Sequence, residues 1–230
     1  MKQCEQGKMK SVSPRRVRCV DNTEFLRESE PVSLDVKKIR NGRQLVAAWV
    51  AVCQQPLRQK KQRTDYVIYS AKIRRLPMNK QTNYNTRYSG LTRLDLCEQA
   101  ILIDEVRDRL RLISRNRLIV GIGLDEDLKS LGLQNEIPRS NRYDFLDHFK
   151  DSDARPINLK SLAYGFLGKR IQEFAPNFDP ERCHDPIIDS RMTIMIFYAK
   201  DHANNQPLNG SFQWIRNLVD EAKGCGLIRS

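Results

Sequence analysis

The chain has 230 residues, 40% of them hydrophobic, with 40 lysines and arginines against 28 aspartates and glutamates, a net charge of +12. That length supports one ordinary folded domain, the composition is globular rather than disordered, and the positive excess points to a polyanionic partner. No apolar run approaches the roughly 20 residues of a membrane span, and the opening MKQCEQGKMKSVSPRRVRCV lacks the apolar core of a signal peptide, so the expectation is no membrane partner and a nuclear or cytoplasmic location.

Residues 1–30 are polar and basic, with Lys8, Lys10, Arg15, Arg16 and Arg18, and read as a flexible arm. Val32–Ile39 reads as a first strand. Asn41-Gly42 is a hairpin signal that leads into Gln44–Cys53, apolar almost throughout, like a strand buried on both faces. A loop with Arg58, Lys60, Lys61 and Arg63 follows. Then comes a third strand, Asp65–Leu76, which carries Arg74, with Arg75 beside it, and is stopped by Pro77. These three form an antiparallel meander. A single helix is expected from Asp95 to Ser114, with an apolar stripe of Leu96, Ile103, Val106, Leu110 and Ile113. Asn116–Gly123 reads as a buried strand and Leu124–Leu131 as a short helix ended by Gly132. A short strand near Arg142–Leu146 and a helix over Asn158–Leu167, closed by Gly168, come next. Asp185 followed by Pro186 is a favoured helix start, with Ile188, Met192, Met195, Ile196 and Ala199 as the buried stripe. A last helix is expected over Phe212–Lys223, stopped by Gly224. The resulting division is an arm over 1–30, a domain over 31–203 and a helical extension over 204–230.

This order predicts an α/β fold, a mixed sheet of an antiparallel meander plus parallel strands with helices on both faces. It is the order of the ribonuclease H-like fold. Asp35 lies mid-strand, Asp127 just after the NRLIVGIG strand, and Asp189 in the first turns of the Pro186 helix, with His184 on the loop before it. Carboxylates converging over a sheet are how hard divalent cations are held, and a loop histidine suits a general base near neutral pH. Each also has a plain reading. Asp35 fits the exposed face of an edge strand, Asp127 and Asp189 complement helix dipoles, and His184 is an ordinary loop residue. The six cysteines, Cys4, Cys19, Cys53, Cys97, Cys183 and Cys225, show no paired or zinc spacing and read as reduced thiols.

Several segments carry a resemblance. VSLDVKKIRNG is similar to V-A-[LI]-D-C-E-M-V-G, and NYNTRYSGLTRLDL to D-Y-R-T-x-x-S-G-I. LIVGIGLDEDLKSL is similar to L-V-G-H-x-L-x-N-D-L-x-x-L, LKSLAYGFLGKRIQ to S-L-K-x-L-x-x-x-x-L-G-x-x-I-Q, and HDPIIDSRMTIMIFY to H-x-x-x-x-D-A-x-A-x-M-x-L-Y. Across about residues 32–200 the chain thus resembles the DEDDh-type 3′–5′ exonucleases, the DnaQ-like branch of the ribonuclease H-like fold, and among them the eukaryotic RNA exonucleases. The resemblance implies Asp35, Asp127 and Asp189 as metal ligands, His184 as general base, and Mg²⁺ or Mn²⁺ as cofactor where the site is active. Lys37 stands where the family has its glutamate. Residues two apart in a strand share a face, so Lys37 is expected to point with Asp35. Two-metal catalysis sets cations about 3.5–4 Å apart; an ammonium offers no lone pair, repels a cation and can pair with Asp35.

The expectation is therefore a degenerate member, catalytically impaired, with Mg²⁺ or Mn²⁺ as cofactor if active and none if not. It would serve as an RNA-binding or adaptor protein with protein partners in RNA processing or small-RNA silencing. Arg58, Lys60, Lys61, Arg63, Arg74 and Arg75 are candidate phosphate contacts for single-stranded RNA, beside the plain reading of a solvated hairpin. The alternative is an active metal-dependent 3′–5′ exoribonuclease built on Asp35, Asp127, His184 and Asp189, with Glu28 or Glu30 as a replacement carboxylate. A third reading is a protein-interaction domain with no nucleic-acid role.

Overall fold

The computed structural model describes residues 19–55, 67–74, 82–98, 100–151, 153–172 and 184–204. It begins with β1 (Val20–Asp21) and a single 3₁₀ turn (Thr23–Phe25). The meander follows as β2 (Val32–Asn41), β3 (Gln44–Gln54) and β4 (Val67–Arg74). Next come α1 (Thr86–Ser89), α2 (Arg93–Glu98), β5 (Ile101–Leu102), α3 (Ile103–Ser114), β6 (Ile119–Gly121) and α4 (Leu124–Leu131). The described residues close with β7 (Arg142–Asp144), α5 (Phe145–His148), α6 (Leu159–Leu167) and α7 (Pro186–Asn204).

The sheet runs β1-β4-β3-β2-β6-β7, with β5 also paired to β4. β2–β3 and β3–β4 are antiparallel, while β2–β6 and β6–β7 are parallel. Side-chain alternation along β2 divides the two layers. Val32, Leu34 and Val36 pack with Val106, Leu110 and Ile113 of α3 and with Leu124, Leu128 and Leu131 of α4. Each of these fully buried leucines contributes about 1.5–3 kcal/mol of burial. Ser33 points the other way, and its Oγ donates to Ser190 O of α7 at 2.7 Å. On that side Met192, Ile196 and Phe197 of α7 pack with Leu159, Leu162 and Ala163 of α6 and with Val120 of β6. Helices thus cover both faces, as the element order predicts. Opposite Lys37 and Lys38 the β2–β3 register passes from Lys37↔Trp49 to Lys38↔Ala47, leaving Ala48 as an extra residue in β3.

The structure departs from the sequence reading in four places. Residues 19–30 are not a bare arm. β1 pairs with Tyr69 and Ser70 of β4, Asn22 Nδ2 donates to Val67 O at 2.9 Å, and Gln54 Nε2 donates to Phe25 O at 3.0 Å. The free edge of β4 recruits this short segment to satisfy its backbone groups. The helix expected over Asp95–Ser114 is broken. Leu96 packs with Ile39 and Trp49, whereas Val106, Leu110 and Ile113 pack in the main core. The two halves serve different clusters and β5 turns the chain between them, pairing with Ile73 and Arg74. In α7, Ile188 is 38% exposed while Ile194 is fully buried, because the helix is covered by the sheet and by α6 rather than along one stripe. The strands near 116–123 and 142–146 shrink to β6 and β7. The expected helix Phe212–Lys223, residues 1–18, and both ends of the expected third strand lie outside the described residues.

Candidate functional site

Asp35 and Lys37 sit two apart on the face of β2 that meets α7. Asp185 opens α7 by accepting from Ile187 N at 2.8 Å, and the Ser33–Ser190 bond docks the helix on β2. Asp189 is thereby carried over Asp35. Lys37 Nζ donates to Asp189 Oδ2 at 2.5 Å and lies 2.9 Å from Asp35 Oδ2. The second is an ion contact off the hydrogen-bond direction, so Asp35 Oδ2 is buried with no hydrogen-bond partner. Gln172 Nε2 donates to Asp189 Oδ1 at 3.1 Å, and His184 Nδ1 stands 3.8 Å from Asp189 Oδ2.

Asp127 arrives from α4. A Cβ at Gly121 would overlap the Leu124 side chain and come within 3.2 Å of Leu34 O, so only glycine lets α4 start this close to β2. Gly123 takes φ 78°, a conformation glycine adopts freely. The start of α4 is held by Asp144, whose carboxylate accepts from Gly123 N at 2.8 Å, Leu124 N at 2.7 Å and Leu146 N at 3.0 Å. So seated, the Asp127 side chain is 6% exposed, and Lys38 Nζ lies 2.6 Å from its Oδ1.

The electrostatics make these groups one cluster. Burial pushes the Asp127 carboxyl up to about 7, the Asp35 charge pushes the same way, and Lys38 and Lys37 oppose them. Burial likewise raises Asp35, against the pull of Lys37 and with a further push from Asp189. Burial also works to raise Asp189, but Lys37 and the groups donating to it prevail and hold it below the usual carboxylate value. Burial disfavours the Lys37 ammonium, yet Asp35 and Asp189 outweigh it and hold its pKa above the ordinary lysine value.

The structure brings Asp35, Lys37, Asp127, His184 and Asp189 together. Lys38 is a residue that sequence reasoning missed. Its signal was two consecutive lysines inside a largely buried strand, one per face, each needing a buried anion. Asp144 was also missed as the anchor of α4. Glu30 is occupied elsewhere, accepting from Tyr198 Oη at 2.7 Å, and Glu28 is a charge neighbour of Arg117, so neither stands in for the family's glutamate. Arg74 is half-buried beside β5, with its Nε buried and without a hydrogen-bond partner. Its strand position pairs with Leu102 of β5. Arg58, Lys60, Lys61, Arg63 and Arg75 lie outside the described residues.

The donor set does not fit a divalent cation. Two aspartates of the cluster are bonded to ammonium nitrogens, and the orphaned Asp35 Oδ2 itself faces one at 2.9 Å. Among the described residues no group of three histidine, cysteine, aspartate or glutamate side chains is arranged to hold a metal.

A mixed sheet between helical layers, with three aspartates gathered from β2, α4 and α7, is a ribonuclease H-like fold. No family model matches the chain. It is 28% identical over 164 residues to the PAN2-PAN3 deadenylation complex catalytic subunit PAN2 of Lodderomyces elongisporus, covering 68% of this chain and 12% of that one. It is 31% identical over 120 residues to RNA exonuclease 1 of Saccharomyces cerevisiae, covering 51% and 20%. The chain therefore spans a small part of either relative's length. The Saccharomyces cerevisiae Pan2 pseudoubiquitin hydrolase–RNA exonuclease module in complex with AAGGAA RNA superposes with a TM-score of 0.72 at 17% identity, over 94% of this chain and 36% of that one. The chain is thus similar to eukaryotic RNA exonucleases over about half to two thirds of its length, and it shares the fold of the Pan2 exonuclease module.

Proposed function

We propose that this protein is a non-cleaving member of the DEDDh-type 3′–5′ exonuclease family that binds single-stranded RNA and acts as an adaptor in RNA processing or small-RNA silencing, through protein partners, in the nucleus or cytoplasm. The observation that carries this reading is the pair of bonds from Lys37 to Asp189 and from Lys38 to Asp127. Each ammonium takes a carboxylate that a cation-dependent nuclease needs free, and each repels an incoming cation. The net charge of +12 supports an RNA backbone as ligand. No helix among the described residues is long and apolar enough to cross a membrane.

The test is a labelled single strand with a free 3′ hydroxyl, incubated with Mg²⁺ or Mn²⁺ beside an Asp127→Ala control. The expected result is binding without trimming. Trimming that disappears in the control overturns the reading in favour of an active exoribonuclease. That second reading has one observation behind it: His184 keeps its place beside Asp189, as a general base requires.

A further inference from the structure

The sequence reading places one lysine in the site, but the structure places two, and they do different work. Lys37 holds Asp35 and Asp189, while Lys38 holds Asp127. They leave β2 on opposite faces, one toward α7 and one toward α4, so neither needs the other in order to reach its partner. We propose that Lys37 and Lys38 are two independent internal counter-ions of the acid cluster, and that the cluster reaches its full divalent-cation affinity only when both are removed. This rests on reading the cluster as cation-excluding.

Three observations support it. The first is that the bonds do not share a carboxylate: Asp189 and Asp35 belong to Lys37, and Asp127 to Lys38. With Lys37→Glu, Asp35, Asp189 and the added carboxylate are released, yet Asp127 stays bonded at 2.6 Å. The second is that Asp35 lies within the field of Lys38 as well as of Lys37. The remaining ammonium still repels a cation bound at Asp35, and a low-dielectric setting magnifies that repulsion. The third is that hard cations take six or more oxygen ligands. Asp127 sits on α4 and the other acids on β2 and α7, so a cation lacking Asp127 loses a whole side of its shell. Conversely, Lys38→Met frees Asp127 while Lys37 still binds the other two.

The experiment titrates Mn²⁺ into the full chain by calorimetry, comparing wild type, Lys37→Glu, Lys38→Met and the double variant. The proposal expects no saturable site in the wild type, and at least tenfold tighter binding in the double variant than in either single one. Equal affinity of Lys37→Glu and the double variant overturns it. If the first double variant does not fold, Lys37→Gln with Lys38→Met adds no acid and keeps the comparison. It is expected to bind Mn²⁺ more tightly than Lys37→Gln alone, and equal affinity again overturns the proposal. Equal affinities beside a wild type that neither binds Mn²⁺ nor trims RNA remove this inference alone. Saturable wild-type binding abolished by Asp127→Ala, together with trimming, removes both it and the proposed function.

Discussion

Asp127 carries the clearest pH signature of any residue in the cluster. Its folded value of about 7 lies above the ordinary carboxylate value. Between roughly pH 4 and pH 7 the folded chain therefore holds a proton that the unfolded chain has released, and stability falls as pH rises through that window. Asp189 has the opposite sign. Held below the ordinary value, it contributes stability above that value and loses it only as pH falls further. Urea unfolding at pH 5, 6, 7 and 8 should show Asp127→Asn losing a downward slope that approaches about 1.4 kcal/mol per pH unit in the wild type. Parallel profiles for the two proteins would mean that Asp127 ionises normally. Lys37→Ala tests the other half of the cluster. It leaves Asp35 and Asp189 buried without their counter-charge, so the expected loss at pH 7 is about 3–5 kcal/mol. That loss should shrink at acid pH, where the carboxylates accept protons. A loss below about 1 kcal/mol at pH 7 would mark an ion pair of the weak surface kind.

Among the elements, α4 decides where Asp127 stands, and Asp144 decides where α4 starts. Asp144→Ala strands three backbone N–H groups at the starts of α4 and α5, with an expected cost of about 2 kcal/mol in thermal or urea unfolding. A cost near zero would show that water replaces the carboxylate without penalty. The two ends of α4 and α6 were legible because their signals are local: Gly132 and Gly168 adopt φ 77° and 61° as helix stops, and Asn158 accepts from Ser161 N at 2.9 Å. The break between α2 and α3 was hidden, since Leu96 and Ile103 lie seven apart and keep helical phase across it. β1 was hidden for another reason. A two-residue strand has no periodicity, and it forms only because the edge of β4 is there to receive it. In the site, Asp35, Lys37, Asp127, His184 and Asp189 could be read from motif spacing. Lys38 carried only the signal of a second lysine in a buried strand: its partner is 89 residues away on a helix, and strand alternation turns it from the face that Lys37 shares with Asp35.

For the whole molecule, the expected binding to single-stranded RNA is governed by displaced counter-ions. Its affinity should fall linearly on a logarithmic salt scale, with a slope of about −0.7 per phosphate neutralised. Because the cluster carries its own cations, EDTA should leave both that affinity and the thermal midpoint unchanged. Fluorescence anisotropy across salt, with and without EDTA, reads both effects. A flat salt profile would remove RNA as the partner, and a drop in EDTA would reveal a cation the acids had kept. The placement of Lys37 and Lys38 on opposite faces of β2 also bears on the routes by which such a chain can change. Returning the cluster to a cation site requires two substitutions, and they come one at a time. Losing Lys37 first leaves Asp35 and Asp189 short of a counter-charge, at about 3–5 kcal/mol, a large share of the 5–15 kcal/mol that keeps a domain folded, and losing Lys38 first leaves the buried Asp127 to hold its proton rather than a cation. The intermediate sits in a valley between two stable ends, so the exchange of metal for lysine works as a ratchet.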